Sequence, residues 1–283
     1  MSNSTSAGEF LAAMGASSRQ RVSAARAELG DVEILARATD MPAPPRLQLS
    51  ARRFDVIAEV KFRSPAAGQL REGSEEQVIA RVAGYAEAGA AAVSVLTEPS
   101  RFDGSLDHLK TAVRALAGRI PAMRKDFLVD PYQVCEARLS GAGGVLLIVR
   151  MLDDAEIAAL IECAARLRLF VLLESFDQVD VGRAAALVKQ YGSTAEFLVG
   201  VNCRDLTTLE VVPGRLEELV RSLPADVPRV AESGVATAQD AGRVAVAGYD
   251  VALVGSALMD ALEPLQLVRA MLSAARSERQ RRS

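Results

Sequence analysis

The 283-residue chain has no tryptophan, one histidine and three cysteines, and only four of its 33 basic residues are lysines. Aromatic residues make up 4%, too few for the stacking platforms that hold single-stranded nucleic acids. Acidic and basic residues are interspersed and the formal net charge is −3. This excludes the basic footprint of a nucleic-acid binder and a polybasic membrane patch. His108 stands alone in a polar, helix-like stretch, so histidine-based metal sites and Ser–His chemistry are all but excluded. Cys135, Cys163 and Cys203 are an odd set at wide spacings with no CxxC pair, the pattern of free thiols in a reducing compartment. No apolar run reaches membrane-spanning length, and Glu9 precedes a very short apolar stretch, unlike a signal peptide. A soluble, cytoplasmic globular protein is expected, with no metal, nucleic-acid or membrane partner.

The lysines that remain are the first positive signal. Lys110 and Lys189 fall in helical patterns and read as solvated-face residues, whereas Lys61 ends the apolar run VIAEVK and Lys125 ends IPAMRK. Arginine holds its proton near neutral pH; a partly buried lysine is able to serve as acid, base or Schiff-base amine. A chain that prefers arginine but keeps lysine at two strand ends points to a use for the ammonium there.

From residue 56 onward, short apolar runs alternate with longer amphipathic ones. The strand candidates are 56–62, 91–97, 120–127, 143–149, 169–175, 197–205, 228–234 and 251–257. They are rich in Val, Leu and Ile and mostly apolar on both faces, as in parallel sheets covered by helices. Between them, SEEQVIARVAGYAEAG carries a Ser74 cap and a terminal Gly89, and DDAEIAALIECAARL opens with acids at the positive end of the helix dipole. Eight such units over about 220 residues match a (β/α)8 TIM barrel, which typically needs about 250. A doubly wound open sheet is the alternative, disfavoured by the absence of GxGxxG after the first strand. Residues 1–50 hold two helical candidates and the Pro-rich MPAPPRL, read as an N-terminal helical extension packed on the barrel of residues 51–283. The polar tail SERQRRS is expected to fray.

Catalytic groups of such barrels sit at the C-terminal ends of the strands. Glu59 and Lys61 are two apart and share a face, as do Asn202 and Arg204. Lys125, Glu174, Glu232-Ser233-Gly234 and Gly255-Ser256 occupy the corresponding ends of strands three, five, seven and eight. Two ammonium groups and two or three carboxylates supply acids and bases without histidine, and proximity pushes their pKa values apart. Small residues after strands seven and eight, opening onto helix starts, leave backbone N–H groups free to hold a phosphate. The cluster reads as a site for proton transfer on a phosphorylated small molecule, with no cofactor.

At these residues the chain resembles the indole-3-glycerol phosphate synthase family. The carrying stretches are IAEVKFRSPAAG (57–68), SVLTEPSRFDGSLDHL (94–109), RKDFLVDPYQVCEARLSGAGGVLLIV (124–149), VGVNCRDLTTLEV (199–211), VAESGV (230–235) and VALVGSALM (251–259). They follow one another across essentially the whole barrel. The resemblance implies a carboxy-lyase of tryptophan biosynthesis that closes the pyrrole ring of 1-(2-carboxyphenylamino)-1-deoxyribulose 5-phosphate with loss of CO2 and water. It also implies roles. Lys125 would protonate the ketone oxygen, and Lys61 would neutralise substrate anions and deliver a proton in dehydration. Glu174 would exchange protons with the anilino nitrogen and the leaving hydroxyl, and Glu59 would tune a lysine. Ser64 and Asn202 would orient the anthranilate carboxylate with support from Arg204, and Phe127 would pack on the ring. Glu232 would contact substrate, while Ser233, Gly234, Gly255 and Ser256 would hold the phosphate. A monomer is compatible with all of this.

Three segments depart from the family pattern: Ala66 and Ala67 after Ser64-Pro65, Ser175-Phe176 after Glu174, and Cys203 after Asn202. They leave open a paralogue acting on a ring-modified anthranilate substrate. Two further rivals are a Schiff-base aldolase and a catalytically silent phosphate-binding barrel. A neighbouring isomerase type would need a cysteine where Lys61 stands, and alternation from Asn202 points Cys203 outward.

Overall fold

The computed structural model describes residues 7–51, 54–64, 68–69, 74–206 and 208–281. Eight parallel strands form it: β1 (Asp55–Val60), β2 (Ala92–Leu96), β3 (Ala122–Lys125), β4 (Gly144–Ile148), β5 (Phe170–Ser175), β6 (Phe197–Asn202), β7 (Arg229–Glu232) and β8 (Val251–Val254). Each pairs with its sequence neighbours, and β1 closes on β8, with Asp55 beside Val251 and Ala58 beside Val254. The expected (β/α)8 barrel is therefore present. The expected strands are all found, shortened at their ends where loops begin.

Alternation decides what each strand presents. On β1, Val56, Ala58 and Val60 join the apolar layer under the helices, while Ile57 faces the barrel interior with Ala92, Met123, Leu146 and Leu198. The next inward positions along β1 are Glu59 and then Lys61. The interior is packed rather than hollow. Towards the floor, the Phe170 ring lies so close to Gly144 that a Cβ there would come within 2.4 Å of it.

Local signals set the helices. Ser74 Oγ accepts the Gln77 N–H to start Glu75–Ala88, and Gly89, at φ 96°, ends it in the left-handed region. Asp153 and Glu156 form a reciprocal capping box at the start of Asp154–Arg166.

The extension forms α1 (Ala7–Glu28) and α2 (Asp31–Asp40). The Tyr132 hydroxyl donates to the carbonyls of Ala25 and Leu29, both at 2.9 Å. Ser18 Oγ donates to the Phe127 carbonyl at 2.6 Å. Arg138 donates to the Met41 carbonyl at 2.9 Å and also to that of Pro42.

Two expectations fail at chain ends. The sixth strand stops at Asn202 and not at 205, because Arg204 turns back into an isolated antiparallel bridge with Val211. The tail is not frayed over Ser277–Gln280: the helix Pro264–Gln280 continues through it. Arg279 Nη2 donates to the Tyr249 carbonyl at 2.6 Å and pairs with Asp250, tying the last turn to the start of β8. No helix among the described residues is long and apolar enough to cross a membrane.

Candidate active site

At the C-terminal ends of the strands a cavity of about 290 Å³ opens, close to the lower size limit for small-molecule sites. Its charged wall is built by register. Asn202 lies beside Glu232 across β6 and β7, and Glu174 lies beside Gly200, the inward residue before Asn202, across β5 and β6, so these side chains converge from adjacent strands. Glycine is required between them: a Cβ on Gly200 would sit 2.2 Å from Glu232 Oε1.

Lys125 Nζ is 3.2 Å from Glu174 Oε1 and 3.3 Å from Glu232 Oε2. Lys61 Nζ is 2.8 Å from Glu59 Oε1. The three carboxylates are 1–3% exposed, so charge there is stable only in company. Burial works against the Lys125 ammonium, but Glu174, Glu232 and Glu59 outweigh it and hold its pKa well above the ordinary value. Burial also opposes Glu59 ionisation, yet Lys61 and Lys125 hold its pKa below the usual range. Glu232 goes the other way. Burial and the nearby Glu174 raise it well above a normal carboxyl, against the pull of Lys125. Burial and neighbouring charge therefore push Glu59 and Glu232 in opposite directions, the separation expected of a crowded acid–base cluster.

Asn202 Nδ2 donates to Glu174 Oε1 at 2.8 Å, and its Oδ1 accepts the Arg204 N–H at 2.9 Å. Arg204 Nη1 in turn donates to the Leu209 carbonyl at 2.5 Å, which pins the loop after β6 against the cavity rim. Phe127 stands on the opposite, apolar side, edge-on to Phe10 with ring centroids 5.9 Å apart.

Ser233 (φ 64°) and Gly234 (φ 70°) follow β7 as two consecutive residues in the left-handed region. As the sequence suggested, they lead into a helix, which begins at Ala238 under a Thr237–Asp240 capping box. After β8, Gly255 precedes the helix Ser256–Asp260, whose first N–H groups have no intrahelical acceptor. Gly255 has a second duty. A Cβ there would lie 2.1 Å from Glu59 Oε1 and 3.0 Å from Lys61 Nζ, so its bareness also makes room for the ion pair.

Lys61, Lys125, Glu59, Glu174, Asn202 and Arg204 all line this one cavity, as do Phe127, Glu232, Ser233, Gly234, Gly255 and Ser256. Ser64 lies in the two-residue strand Arg63–Ser64 after β1; its side chain falls outside the described part of the molecule.

Sequence reasoning missed two parts of the site. One is the apolar wall, with Phe10 from α1, Phe102, Phe176, Leu146 and Ile148. The available signal was the scarcity of aromatics: several of the eight phenylalanines fall in the family-like segments or the extension. The other is a buried charge network behind β3. Asp126 accepts from both guanidinium nitrogens of Arg21 (3.0 and 2.8 Å), from Thr97 Oγ1 (2.7 Å) and from the Phe127 N–H (2.8 Å). Arg124 joins it at 3.1 Å. Burial opposes this charge, but the two arginines win and hold Asp126 at about 2.

An ammonium, neighbouring carboxylates and an apolar slot suit acid–base chemistry on a small molecule with an apolar part. The comparisons with known proteins agree. The family model for indole-3-glycerol phosphate synthase matches residues 11–271. The indole-3-glycerol phosphate synthase of Micrococcus luteus is 45% identical over 219 residues, covering 77% of this chain and 78% of that one. That of Mycobacterium ulcerans is 40% identical over 258 residues, covering 90% and 91%. Among solved structures, 3-hexulose-6-phosphate synthase from Salmonella typhimurium superimposes with TM-score 0.62 at 14% identity, covering 79% of this chain and 99% of that one. At that identity the likeness is one of fold. The chain belongs to the indole-3-glycerol phosphate synthase family.

Proposed function

We propose that this enzyme converts 1-(2-carboxyphenylamino)-1-deoxyribulose 5-phosphate to indole-3-glycerol phosphate, acting as the carboxy-lyase of tryptophan biosynthesis. The observation that carries the reading is Lys125, an ammonium held between Glu174 and Glu232 at the edge of an apolar slot.

The phosphate rests on the backbone at Ser233, Gly234, Gly255 and Ser256. The anthranilate ring lies against Phe127, its carboxylate turned towards Asn202, Ser64 and the Lys61 ammonium, with Arg204 in support. As the ring carbon bearing the carboxylate attacks the ketone, Lys125 donates a proton to the oxygen on which negative charge develops. Carbon dioxide then leaves, its electron pair returning to the ring. Glu174 takes the anilino proton, and Lys61 protonates the departing hydroxyl as water. Glu59 orients Lys61, and Glu174 and Glu232 orient Lys125. With carboxylates this close, neither lysine is set up as a neutral nucleophile, so the Schiff-base alternative finds no support here.

Residues 1–50 serve as an extension of the catalytic barrel 51–283, and the enzyme works as a cytoplasmic monomer. The unbridged state of all three cysteines supports a reducing compartment. The deciding experiment is incubation of the purified protein with the anilino-ribulose phosphate while indole fluorescence is followed. A panel of ring-substituted analogues run alongside separates the unsubstituted substrate from a modified one. Absence of indole fluorescence with every member of the panel would refute the assignment.

A further inference from the structure

Far from the cavity, two cysteines on neighbouring helices face each other. Cys135 lies on the helix Pro131–Leu139 and Cys163 on the helix Asp154–Arg166, with their sulfurs 3.9 Å apart. Chance places few thiols so close in a chain with three. Three further observations make the pair more than packing. Both sulfurs border a groove of about 570 Å³ under α2, between Ile34, Leu35 and Arg166, which gives a small oxidant access. Cys163 is only half-buried, and its thiol also reaches the Pro131 carbonyl at 3.7 Å. Arg166 stands near enough to favour the anionic form of either sulfur.

We infer that Cys135 and Cys163 form a two-electron redox site on the outer face of the barrel, closing to an intramolecular disulfide when the protein meets hydrogen peroxide. Either sulfur is able to attack first, with the other resolving. With Cys135 leading, its thiolate bonds to one peroxide oxygen and the O–O bond breaks; with the thiol proton, the departing hydroxide becomes water. Cys163 sulfur then attacks the sulfenic sulfur. The S–S bond forms, the S–O bond breaks, and the second hydroxide takes the Cys163 proton. Two thiols are oxidised and one peroxide is reduced to two waters.

The bond needs the sulfurs to approach from 3.9 Å to about 2.05 Å, a shift within reach of side-chain rotation and a small helix movement. It would staple the helix Pro131–Leu139, which Arg26 and Tyr132 tie to α1, to the helix Asp154–Arg166, whose Glu156 pairs with Arg19 of α1. The helix of Cys135 is also the one whose Gln133 and Glu136 hold Arg124 and the Val129 N–H. The staple therefore falls on the support of the loop after β3. Cys203 is a built-in control: it is buried and remote from both, and burial pushes its thiol up to about 11.

The test treats the full-length protein with a small excess of hydrogen peroxide, then alkylates it in denaturant and weighs it. The expected result is a loss of two hydrogens and one alkylated cysteine in place of three, with a Cys135–Cys163 cross-linked peptide that dithiothreitol removes. Cys163→Ser should keep wild-type turnover before oxidation, form no cross-link, and accumulate sulfinic acid or an adduct on Cys135. Three alkylated cysteines after treatment, or a cross-link through Cys203 or to a second chain, would overturn the inference.

Discussion

Two charge clusters meet along β3 and differ in one respect. Outward from the strand, Arg124 and Asp126 sit with Arg21, Thr97 and Glu136 in a network where guanidinium groups and carboxylates match, each oxygen of Asp126 accepting more than one bond. Inward, Lys125 shares two carboxylates, and Glu232 Oε1 is buried with no hydrogen-bond partner among the described residues. The fully engaged carboxylate of Asp126 fixes geometry, whereas Glu232, with one oxygen unpaired, stores capacity for a proton or a ligand. Alternation along one strand separates the two functions, and Asp126 couples them by also holding the N–H of Phe127.

The comparison is broken most sharply at Lys125. Lys125→Met should leave the circular dichroism spectrum unchanged and lower kcat by at least about 100-fold, the scale of a lost positioned acid; activity within a few-fold of wild type would falsify the assignment. Asp126→Asn should do the reverse. Removing one partner of a buried pair costs about 3–5 kcal/mol, read as a lowered urea midpoint, while kcat falls by only about tenfold. A fall in kcat larger than that of Lys125→Met would mean that the network itself does chemistry.

Acid titration sharpens the same contrast. The folded-state pKa of Asp126 is depressed to about 2, against about 3.9 for a free aspartate. Its contribution is therefore fully present above pH 4 and is lost as pH falls from about 4 towards 2. Wild type should lose stability across that window, and Asp126→Asn should show a flatter profile there. The mildest effect is expected from Ser256→Asp, which places an anion at the proposed phosphate seat: KM should rise about tenfold with kcat nearly unchanged. An unchanged KM would move the phosphate elsewhere.

Much of this was legible in advance, for identifiable reasons. Runs such as GVLLI and FVLLE mark themselves as barrel strands by β-branched and leucine content bounded by caps, and Ser74 and Gly89 mark helix ends locally. Lys61 with Glu59 is a two-residue spacing, so their shared face follows from strand geometry. What stayed hidden depends on contacts far apart in sequence. Arg21 meets Asp126 across 105 positions, and nothing near either residue announces the other. Phe10 reaches the cavity only because α1 lies over the barrel mouth. The end of β6 was misplaced for a similar reason, since the Arg204–Val211 bridge depends on the return of a loop. Gly255 was read as an anion seat alone, because the crowding by Glu59 comes from a strand nearly 200 residues earlier.

The packed floor has a consequence for traffic. With the Phe170 ring against Gly144, and Ile57, Met123, Leu172 and Leu198 filling the layers above it, the barrel has one doorway. Substrate enters by it, and carbon dioxide, water and the bulky indole product must all depart by it, past Phe10 and Phe127. Carbon dioxide and water are far smaller than the indole-bearing product, so the aromatic lining at Phe10 and Phe127 bears on the larger molecule's passage most.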